Sequence, residues 1–327
     1  MKFLVTGGAG FIGSHFVDFL LFDNDVSKYV ENVTVLDKLT YAGSLSNLNF
    51  ARQDSRFRFV KGDIRNSKII RKLLSDKCIV VNFAAESHVD NSINNASVFY
   101  ETNTTGVVAL LEATRFFNGV KFLQISTDEV YGSITKGAWT EESILQPNSP
   151  YSSSKASSDL ICRAYFKTYG ADIVITRCSN NFGPRQHNEK FIPTIFNCLF
   201  QNKKIPVYGD GNNVRDWLFV SDHVKGIWAA IIYGKTGEVY NIGGGSEMSN
   251  LELSSFICTK MGYSSDQIEF TDDRKGHDRR YSLDYLKATR ELGYKPSVSF
   301  DSGVELTMEY YKGISKATNK GWIANNL

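Results

Sequence analysis

Along the first 180 residues, short apolar runs alternate with longer segments in which apolar residues recur at helical spacing. The runs are rich in Val, Ile, Phe and Leu, as expected for strands that are buried on both faces of a sheet. Strands that alternate with helical segments indicate βα units and a parallel sheet. We therefore predict a doubly wound α/β fold with strands at residues 2–6, 33–37, 58–61, 79–84, 122–127 and 173–177.

Beyond residue 180 the spacing of apolar residues becomes less regular. A stretch punctuated by Pro and Gly, residues 181–215, is followed by short strand and helix candidates as far as the C-terminus. The chain has 327 residues, which exceeds the usual size of one compact core. We predict that residues 1–180 carry the large sheet and that residues 181–327 form a smaller C-terminal α/β lobe, with crossovers of the chain between the two parts.

Composition restricts the classes of partner. Lys and Arg number 37 and Asp and Glu 35, so the net charge of +2 is too small to favour a nucleic acid or a membrane surface. The sequence has no run of about 18 apolar residues, and glycine interrupts the N-terminal run before it reaches the length of a signal sequence. The five cysteines lie far apart, which is typical of reduced thiols. We expect a cytoplasmic protein.

A glycine-rich loop follows the first predicted strand. Gly7, Gly10 and Gly13 are spaced G-x-x-G-x-x-G, and a helical pattern begins at Phe11 and Ile12. Such glycines permit a tight turn, let the backbone approach a pyrophosphate and allow the helix to pack closely on the strand, while the helix N-terminus attracts the anion. A purely structural turn can share this spacing, but the strand before it and the helix after it favour a dinucleotide site and a Rossmann-like fold.

The second predicted strand ends at Asp37, where a carboxylate accepts hydrogen bonds from the ribose hydroxyls of adenosine and repels a 2′-phosphate. This favours NAD over NADP, although the neighbouring Lys38 would suit the phosphate and leaves NADP open. Open α/β sheets bind ligands at the carboxyl ends of their strands. Asp63 and Ile64 follow the third strand and Ala84 and Ala85 end the fourth, where small alanines leave room for a cofactor, although Asp and Ala also occur in turns that bind nothing.

A tyrosine and a lysine share one face of a later helix. Tyr151 and Lys155 are four residues apart, just after Pro150, which suits a helix start. A nearby ammonium stabilises a phenolate and lowers its pKa, so the pair can accept a proton from a sugar hydroxyl while the carbon gives hydride to NAD. Alone, a tyrosine and a lysine at this spacing usually just cover a helix surface.

Taken together, the glycine loop, Asp37, the Ser126 and Thr127 pair and Tyr151 with Lys155 resemble the extended short-chain dehydrogenase/reductase family over nearly the whole chain. The run Thr127-Asp128-Glu129 is similar to the Thr-Asp-Glu motif of the dTDP-glucose 4,6-dehydratases within that family. The resemblance implies that Asp128 is the acid on the C6 hydroxyl and Glu129 the base on C5–H. This chemistry is reasonable because a C4 ketone acidifies the C5 proton. A solvated strand end or a helix cap is the plain alternative.

The resemblance also implies that residues 1–180 hold the cofactor and the catalytic groups and that residues 181–327 mainly bind a nucleotide sugar. Tightly bound NAD would be recycled within each turnover. The implied catalytic residues are Thr127, Asp128, Glu129, Tyr151 and Lys155. The implied NAD contacts are these last two with Gly7, Gly10, Phe11, Ile12, Gly13, Asp37, Lys38, Leu39, Thr40, Asp63, Ile64, Ala84, Ala85, Ser87, Thr102 and Asn181.

The implied substrate site adds Arg and Lys side chains, which suit a diphosphate. Besides Thr127, Asp128 and Glu129 it comprises His88, Asn180, Lys190, Phe191, Pro206, Tyr208, Arg215, Asn250, His277, Arg279 and Tyr281. We expect no metal site, because His, Cys and Asp show no metal-ligand spacing.

Some alternatives stay open at this point. Asn91 and residues 185–188 depart from the family pattern near the expected substrate entrance, so dTDP and UDP are both candidate nucleotides. A nucleotide-sugar 4-epimerase shares the first hydride step without needing the two carboxylates, and a redox-inactive NAD-binding regulator could use the same fold. Members of the family commonly form homodimers. Apolar residues of the Tyr151 helix could either form that contact or face the domain's own core: Leu160, Ile161 and Ala164.

Overall fold

A computed structural model describes residues 1–313. Its strands are β1 Lys2–Thr6, β2 Asn32–Asp37, β3 Phe57–Lys61, β4 Cys78–Asn82, β5 Lys121–Thr127, β6 Asp172–Cys178, β7 Asn180–Phe182, β8 Ile205–Tyr208, β9 Val214–Phe219, β10 Val239–Ile242, β11 Glu247–Ser249 and β12 Ile268–Thr271. Its helices are α1 Phe11–Phe22, α2 Ser67–Leu73, α3 Val89–Asn94, α4 Ala96–Phe99, α5 Gly106–Thr114, α6 Pro150–Tyr169, α7 Phe191–Phe200, α8 Val220–Tyr233, α9 Asn250–Lys260, α10 Leu286–Leu292 and α11 Phe300–Tyr311.

Seven parallel strands form the central sheet in the order β10-β6-β5-β4-β1-β2-β3. The order runs outward from β1 to β3 on one side and from β4 to β6 on the other, so it reverses between β1 and β4. Open α/β sheets bind ligands outside the carboxyl ends of their strands at such a reversal. The prediction of a Rossmann-like doubly wound sheet is confirmed, and each of the six predicted strands is present.

Apolar side chains cover both faces of the central sheet. Alternate residues of a strand point to opposite faces, and in β1 this places Phe3 and Val5 in one core cluster and Leu4 in the other. The first cluster includes residues of α1 and α8, and the second includes residues of α2, α5 and α6. Burial on both faces explains why the strands appear in the sequence as continuous apolar runs rather than as alternating ones.

The C-terminal part has its own small core. Sheets of three strands (β11-β9-β7) and two strands (β12-β8) pack with α7, α9 and α11 around a cluster that includes Phe182, Phe196 and Trp217. The chain also returns to the large sheet, because β10 is its seventh strand and residues of α8 pack in its core. The division at residue 180 stays a prediction. Across residues 1–313 the structure has no helix whose length and apolar character would let it cross a membrane.

Candidate active site

A cavity of about 300 Å³ opens at the carboxyl ends of the central strands. All five predicted catalytic residues line it: Thr127, Asp128, Glu129, Tyr151 and Lys155. Of the further residues predicted to bind the cofactor it is lined by Gly7, Gly10, Phe11, Ile12, Gly13, Asp37, Lys38, Thr40, Asp63, Ile64, Ala84, Ala85, Ser87, Thr102 and Asn181. Asn180 and Lys190, predicted to bind substrate, line it as well. The structure thus brings together groups from distant parts of the chain.

The glycine loop has the close backbone approaches that a dinucleotide cradle needs. Gly7 has a left-handed φ of 69°, and a Cβ on it would lie 2.5 Å from the backbone N of Ala84. A Cβ on Gly13 would lie 2.5 Å from the Gly7 carbonyl oxygen, so helix α1 can begin directly against the loop only without a side chain there. The cradle that these glycines leave fits a pyrophosphate at the N-terminus of α1.

Asp37 lies at the end of β2 with its carboxylate fixed by two backbone donors. The N–H groups of Ala9 and Leu39 donate to it at 2.9 and 2.7 Å, and burial is the main cause that raises its pKa. Lys38 turns to Asp63, with 3.0 Å between Nζ and Oδ2, so its charge already has a carboxylate partner. This arrangement fits a ribose with free hydroxyls better than a 2′-phosphate. Leu39 does not line the cavity and packs instead against the core.

The two carboxylic residues lie on a tight turn directly after β5. Residues Asp128–Tyr131 form one turn of 3₁₀ helix, which Thr127 caps by accepting the Glu129 N–H at 3.3 Å. The Thr127 hydroxyl donates to Asp128 Oδ1 at 3.0 Å. Asp128 Oδ2 is buried and has no hydrogen-bond partner among the described residues. The turn therefore presents one free carboxyl oxygen inside the protein beside the cavity.

The carboxyl groups of Asp128 and Glu129 have different electrostatic surroundings. Burial raises the pKa of Asp128 well above its usual value, and the Glu129 carboxylate adds to that rise. Burial also raises the pKa of Glu129, but the positive charges of Lys190, Arg215 and Arg274 oppose that rise. Asp128 therefore holds a proton more readily, and Glu129 ionises more readily. Such a separation of pKa values distinguishes the acid from the base of a catalytic pair.

Tyr151 stands in the first turn of α6. Pro150 is the first helical residue, and Ser149 and Ser152 form a capping box that fixes this end of the helix. Burial is the main cause that raises the pKa of the Tyr151 phenol well above 10, and the charge of Glu129 adds to it. This differs from the lowered pKa expected from Lys155. Burial of the phenol and the Glu129 charge set the direction of that shift, while the Lys155 ammonium is itself buried and donates to the Ile125 carbonyl oxygen at 2.6 Å.

A second group of side chains lies near Glu129 without lining the cavity. The Arg215 guanidinium lies 4.3 Å from the centre of the Tyr281 ring and donates to the Asp278 carbonyl oxygen at 3.0 Å. His277 packs edge-on against Tyr208 and bonds Asp273 through Nδ1 at 2.6 Å. Four residues predicted to bind substrate thus share one region: Tyr208, Arg215, His277 and Tyr281.

Other predicted substrate residues lie apart from the cavity lining. Arg279 is exposed and forms a forked ion pair with Asp210 at 2.7 and 3.0 Å. Phe191 begins α7 and packs against the C-terminal core, and Pro206 is exposed in β8. The remaining two are helix-start residues, His88 before α3 and Asn250 at the start of α9. Their roles toward a substrate stay predictions.

Sequence reasoning missed several groups at this site. Arg274 lies 5.2 Å from the centre of the Tyr208 ring and pairs with Asp90 at 2.7 Å. The sequence offered one indication that Arg274 belongs to the site, namely its position shortly before His277, which was predicted to bind substrate. The cavity is also lined by Ala42, Gly43, Glu86, Cys178 and Glu189, which were not predicted to bind a ligand, and by Gln186 and His187 of the stretch at residues 185–188 that departs from the family pattern. Within residues 1–313, no group of three or more His, Cys, Asp or Glu side chains is arranged to hold a metal ion.

Comparisons with known proteins identify the family. A profile of the family described as GDP-mannose 4,6 dehydratase matches residues 4–307. A dTDP-glucose 4,6-dehydratase of Actinoplanes sp. is 50% identical over 324 residues, which cover 98% of this chain and 99% of the relative. The low-salt glycan biosynthesis protein Agl12 of Haloferax volcanii is 49% identical over 313 residues, covering 96% of this chain and 99% of the relative.

A solved structure has the same fold over almost its full length. DesIV, a dTDP-glucose 4,6-dehydratase from Streptomyces venezuelae crystallised with NAD, matches with a TM-score of 0.92 and 50% identity. The match covers 98% of both chains. The resemblance inferred from the motifs is therefore confirmed. The chain belongs to the GDP-mannose 4,6-dehydratase family, with the fold of the extended short-chain dehydrogenases/reductases.

Proposed function

We propose that this chain is an NAD-dependent dTDP-glucose 4,6-dehydratase, which converts dTDP-glucose to dTDP-4-keto-6-deoxyglucose. One observation carries the proposal: the buried turn with Asp128 and Glu129 lines the same cavity as Tyr151 and the glycine cradle. An epimerase needs the cradle and the tyrosine but has no use for two adjacent carboxyl groups. The relatives named dTDP-glucose 4,6-dehydratases, at about half identity over the whole chain, support this choice of substrate.

The first half of the reaction oxidises C4 of the sugar. When bound, NAD supplies a hydride acceptor for C4–H and later returns that hydride to C6. Tyr151 accepts the proton of the C4 hydroxyl, and the nearby Thr127 hydroxyl opposes the rise of the phenol pKa that burial causes. Lys155 uses one of its three N–H donors on the Ile125 carbonyl, so two remain to stabilise a phenolate. Only the phenolate can accept the C4 hydroxyl proton, so in this scheme the remaining Lys155 donors offset the burial that raises the pKa of the Tyr151 phenol.

The second half eliminates water across C5 and C6. Glu129, which the three cations keep ionised more readily, removes the C5 proton that the C4 ketone has made acidic. Asp128, whose raised pKa favours its protonated form, gives its proton to the departing C6 hydroxyl. Protonation at C5 completes the 6-deoxy product after hydride return. The substrate loses one water, and no net oxidant is consumed.

The same cations suit the diphosphate of the nucleotide sugar. Lys190, Arg215 and Arg274 all act on the Glu129 carboxylate through their charge, so they face one region. A chain with a net charge of only +2 can therefore present a locally basic site. Arginine adds a planar donor fork that fits phosphate oxygens. We place the diphosphate against this group, with the sugar toward Tyr151.

The test is to incubate the purified protein with dTDP-glucose in heavy water, without added NAD, and to analyse the sugar by mass spectrometry and proton NMR. We expect loss of one water and solvent deuterium at C5. Conversion to dTDP-galactose would establish an epimerase instead. Turnover of UDP-glucose or GDP-mannose but not dTDP-glucose would correct the nucleotide, and bound NAD without turnover of any of them would favour a regulator.

A homodimer is part of the same proposal. Leu160 and Ala164 are exposed on α6, and Leu160 has 58% of its surface open to solvent, whereas Ile161 packs partly against the domain's own core. An exposed apolar residue on a long helix suits a helix-to-helix contact between copies. Light scattering should give a dimer for the wild type and a monomer for Leu160→Glu. As a control, Ile144→Glu, at an exposed position outside the helices, should stay dimeric.

A cytoplasmic location completes the proposal. The five cysteines are free thiols, and four of them are buried. Free thiols are typical of a reducing compartment. Cell fractionation with an antibody against the native protein should recover it with the cytoplasmic fraction, and recovery with membranes would contradict this.

A further inference from the structure

A short segment of chain directly before α7 forms part of the wall of the dinucleotide cavity. We call residues 184–190 the strap. Gln186, His187, Glu189 and Lys190 of the strap line the cavity. The glycine loop and the start of α1 line the same cavity. The strap therefore contributes one side of the space in which the proposed cofactor lies.

The strap is attached to the back of α1 by a buried ion pair. Arg185 Nη2 lies 2.8 Å from Asp18 Oδ2, and the two side chains are 10% and 0% exposed. Arg185 Nη1 also donates to the Asn47 carbonyl oxygen at 2.9 Å. The Asn47 amide donates in turn to the Ala9 carbonyl oxygen at 2.9 Å, inside the glycine loop. One arginine thus joins the strap to two segments that surround the cradle.

A second contact lies beside the first on the same helix. His15 Nε2 is 2.9 Å from the Pro184 carbonyl oxygen, and its ring packs edge-on against Phe11 in the first turn of α1. Residues 15 and 18 are three positions apart, so they lie on one face of the helix. Burial and the charge of Arg185 lower the pKa of His15, so the neutral ring donates an N–H to that carbonyl.

The far end of the strap contacts two further loops. The His187 ring packs edge-on against Tyr41, with 5.6 Å between the ring centres. Lys190 Nζ donates to the Ser87 carbonyl oxygen at 2.8 Å. Contacts at both ends hold the strap in place as one wall of the cavity. A ligand in the cradle can leave through this side only if the strap moves.

We propose that Asp18 and Arg185 are positioning residues that hold the strap in place as a wall of the dinucleotide cavity and so retain NAD between turnovers. The proposal rests on the dinucleotide site of the proposed function and is independent of the dehydration chemistry. Neither residue touches the reacting sugar carbons in that scheme. They act through the strap by slowing the escape of the cofactor.

The ion pair is well suited to this role because each partner depends on the other. Burial raises the pKa of Asp18, and the charge and hydrogen bond of Arg185 oppose that rise, so Arg185 is what offsets the cost of burying this carboxylate. Arg185 also adopts a left-handed backbone with φ of 67°, which is unfavourable for a residue with a side chain. Its side-chain contacts offset that strain. Without them the strap loses both its attachment and the reason for this backbone conformation.

The test measures cofactor release rather than activity. Wild type, Arg185→Met and the double variant Asp18→Leu with Arg185→Met are loaded with radiolabelled NAD and chased with excess unlabelled NAD, without any sugar. Thermal unfolding is recorded for each. Arg56→Met is the matched control, because Arg56 also joins α1 to another segment through the Leu21 carbonyl oxygen and an Asp partner but does not line this cavity.

Both variants at Arg185 should release the label roughly tenfold faster than wild type, a change that corresponds to about 1.4 kcal/mol. The double variant should do so while unfolding at a temperature close to that of the wild type, because it leaves no buried charge unpaired. Wild-type release rates in both variants would overturn the proposal. So would equally fast release from Arg56→Met at a matched loss of stability. A wild-type chain that binds no NAD would overturn both this proposal and the proposed function, whereas intact retention without dehydration would count against the function alone.

Discussion

Asp128 and Glu129 are neighbours in the chain, but three cations lower the pKa of Glu129 (Lys190, Arg215 and Arg274), whereas Asp128 feels only Arg215 of these and the Glu129 carboxylate raises its pKa further. Both pKa values are raised by burial, and these charges set the two groups apart. One turn of 3₁₀ helix after β5 therefore carries an acid and a base on consecutive residues. The order of proton transfers in the proposed reaction follows from this difference.

Replacing the acid should separate the two halves of the reaction. In Asp128→Asn we expect product formation to fall by about 10²- to 10⁴-fold, the usual contribution of a general acid. Oxidation at C4 needs Tyr151 but not Asp128, so reduced nicotinamide should accumulate in a single turnover, seen by its near-ultraviolet absorbance. The exposed Asp266→Asn is the control and should behave as wild type. Normal product formation by Asp128→Asn would remove Asp128 from the mechanism.

Replacing the base should stop exchange at C5. After incubation in heavy water, dTDP-glucose recovered from Asp128→Asn should carry deuterium at C5, because Glu129 still removes that proton from the ketone. Sugar recovered from Glu129→Gln should carry none, because no base serves C5. The readout is proton NMR of the recovered nucleotide sugar. The opposite pattern would mean that the two roles are exchanged.

The raised pKa of Asp128 has a consequence for stability. Between its unfolded pKa near 4 and its higher folded pKa, the folded state binds more protons than the unfolded state. The free energy of unfolding therefore falls as pH rises through that interval. Asp128→Asn removes this loss, so the variant should gain stability relative to wild type as pH rises from 4 toward neutrality. Urea unfolding across that range measures it, and a difference that stays constant with pH would contradict the assignment.

A second buried ion pair connects α6 to the catalytic turn. Arg177 Nε lies 2.8 Å from Asp159 Oδ2, and Arg177 Nη1 donates to the Tyr131 hydroxyl at 2.7 Å. In Arg177→Met the Asp159 charge stays buried without its partner, so we expect the free energy of unfolding to fall by about 3–5 kcal/mol. Denaturant unfolding measures this.

Two further variants test whether the unpaired buried charge causes this loss of stability. Asp159→Leu combined with Arg177→Met should recover much of the lost stability, because it removes both charges from the interior. Arg290→Met removes an exposed arginine that pairs with Glu291 at 3.5 Å, and it should change stability little. An equal effect of the buried and exposed substitutions would show that the Arg177 pair does not stabilise the fold.

The fold was predictable where buried strands leave a continuous apolar run. The six strands at residues 2–178 were found for this reason, to within two residues at each end. The seventh strand, β10, was not singled out, because Val239–Ile242 is a short run that includes Tyr and Asn. Its place in the large sheet depends on α8, which carries the chain back to it. Local pattern gives no information about such a return.

The site was predictable where chemistry follows from spacing along the chain. The glycine loop, Asp37, Asp128 with Glu129, and Tyr151 with Lys155 are each local patterns, and all of them line the cavity. The sequence could not predict which charged side chains from distant segments lie near one another in the folded chain. The pairing of Arg185 with Asp18 and the approach of Arg274 to Glu129 arise only in the folded chain.

The same limit explains why the sequence led us to expect a lowered pKa for Tyr151, whereas the structure raises it. The spacing correctly places Tyr151 and Lys155 on one helix. Spacing cannot show that the Lys155 ammonium bonds the Ile125 carbonyl or that the Glu129 carboxylate lies near the phenol. Both facts depend on where β5 and its following turn meet α6.

The most direct test of the central claim follows one hydrogen through the reaction. dTDP-glucose labelled with deuterium at C4 is incubated with the purified chain in ordinary water, and the product is examined by deuterium NMR. The proposed dehydratase predicts that the deuterium of C4 appears at C6 of a 4-keto-6-deoxy sugar. Deuterium that remains at C4 of dTDP-galactose, or that is absent from the C6 position of a dehydrated product, would contradict the account.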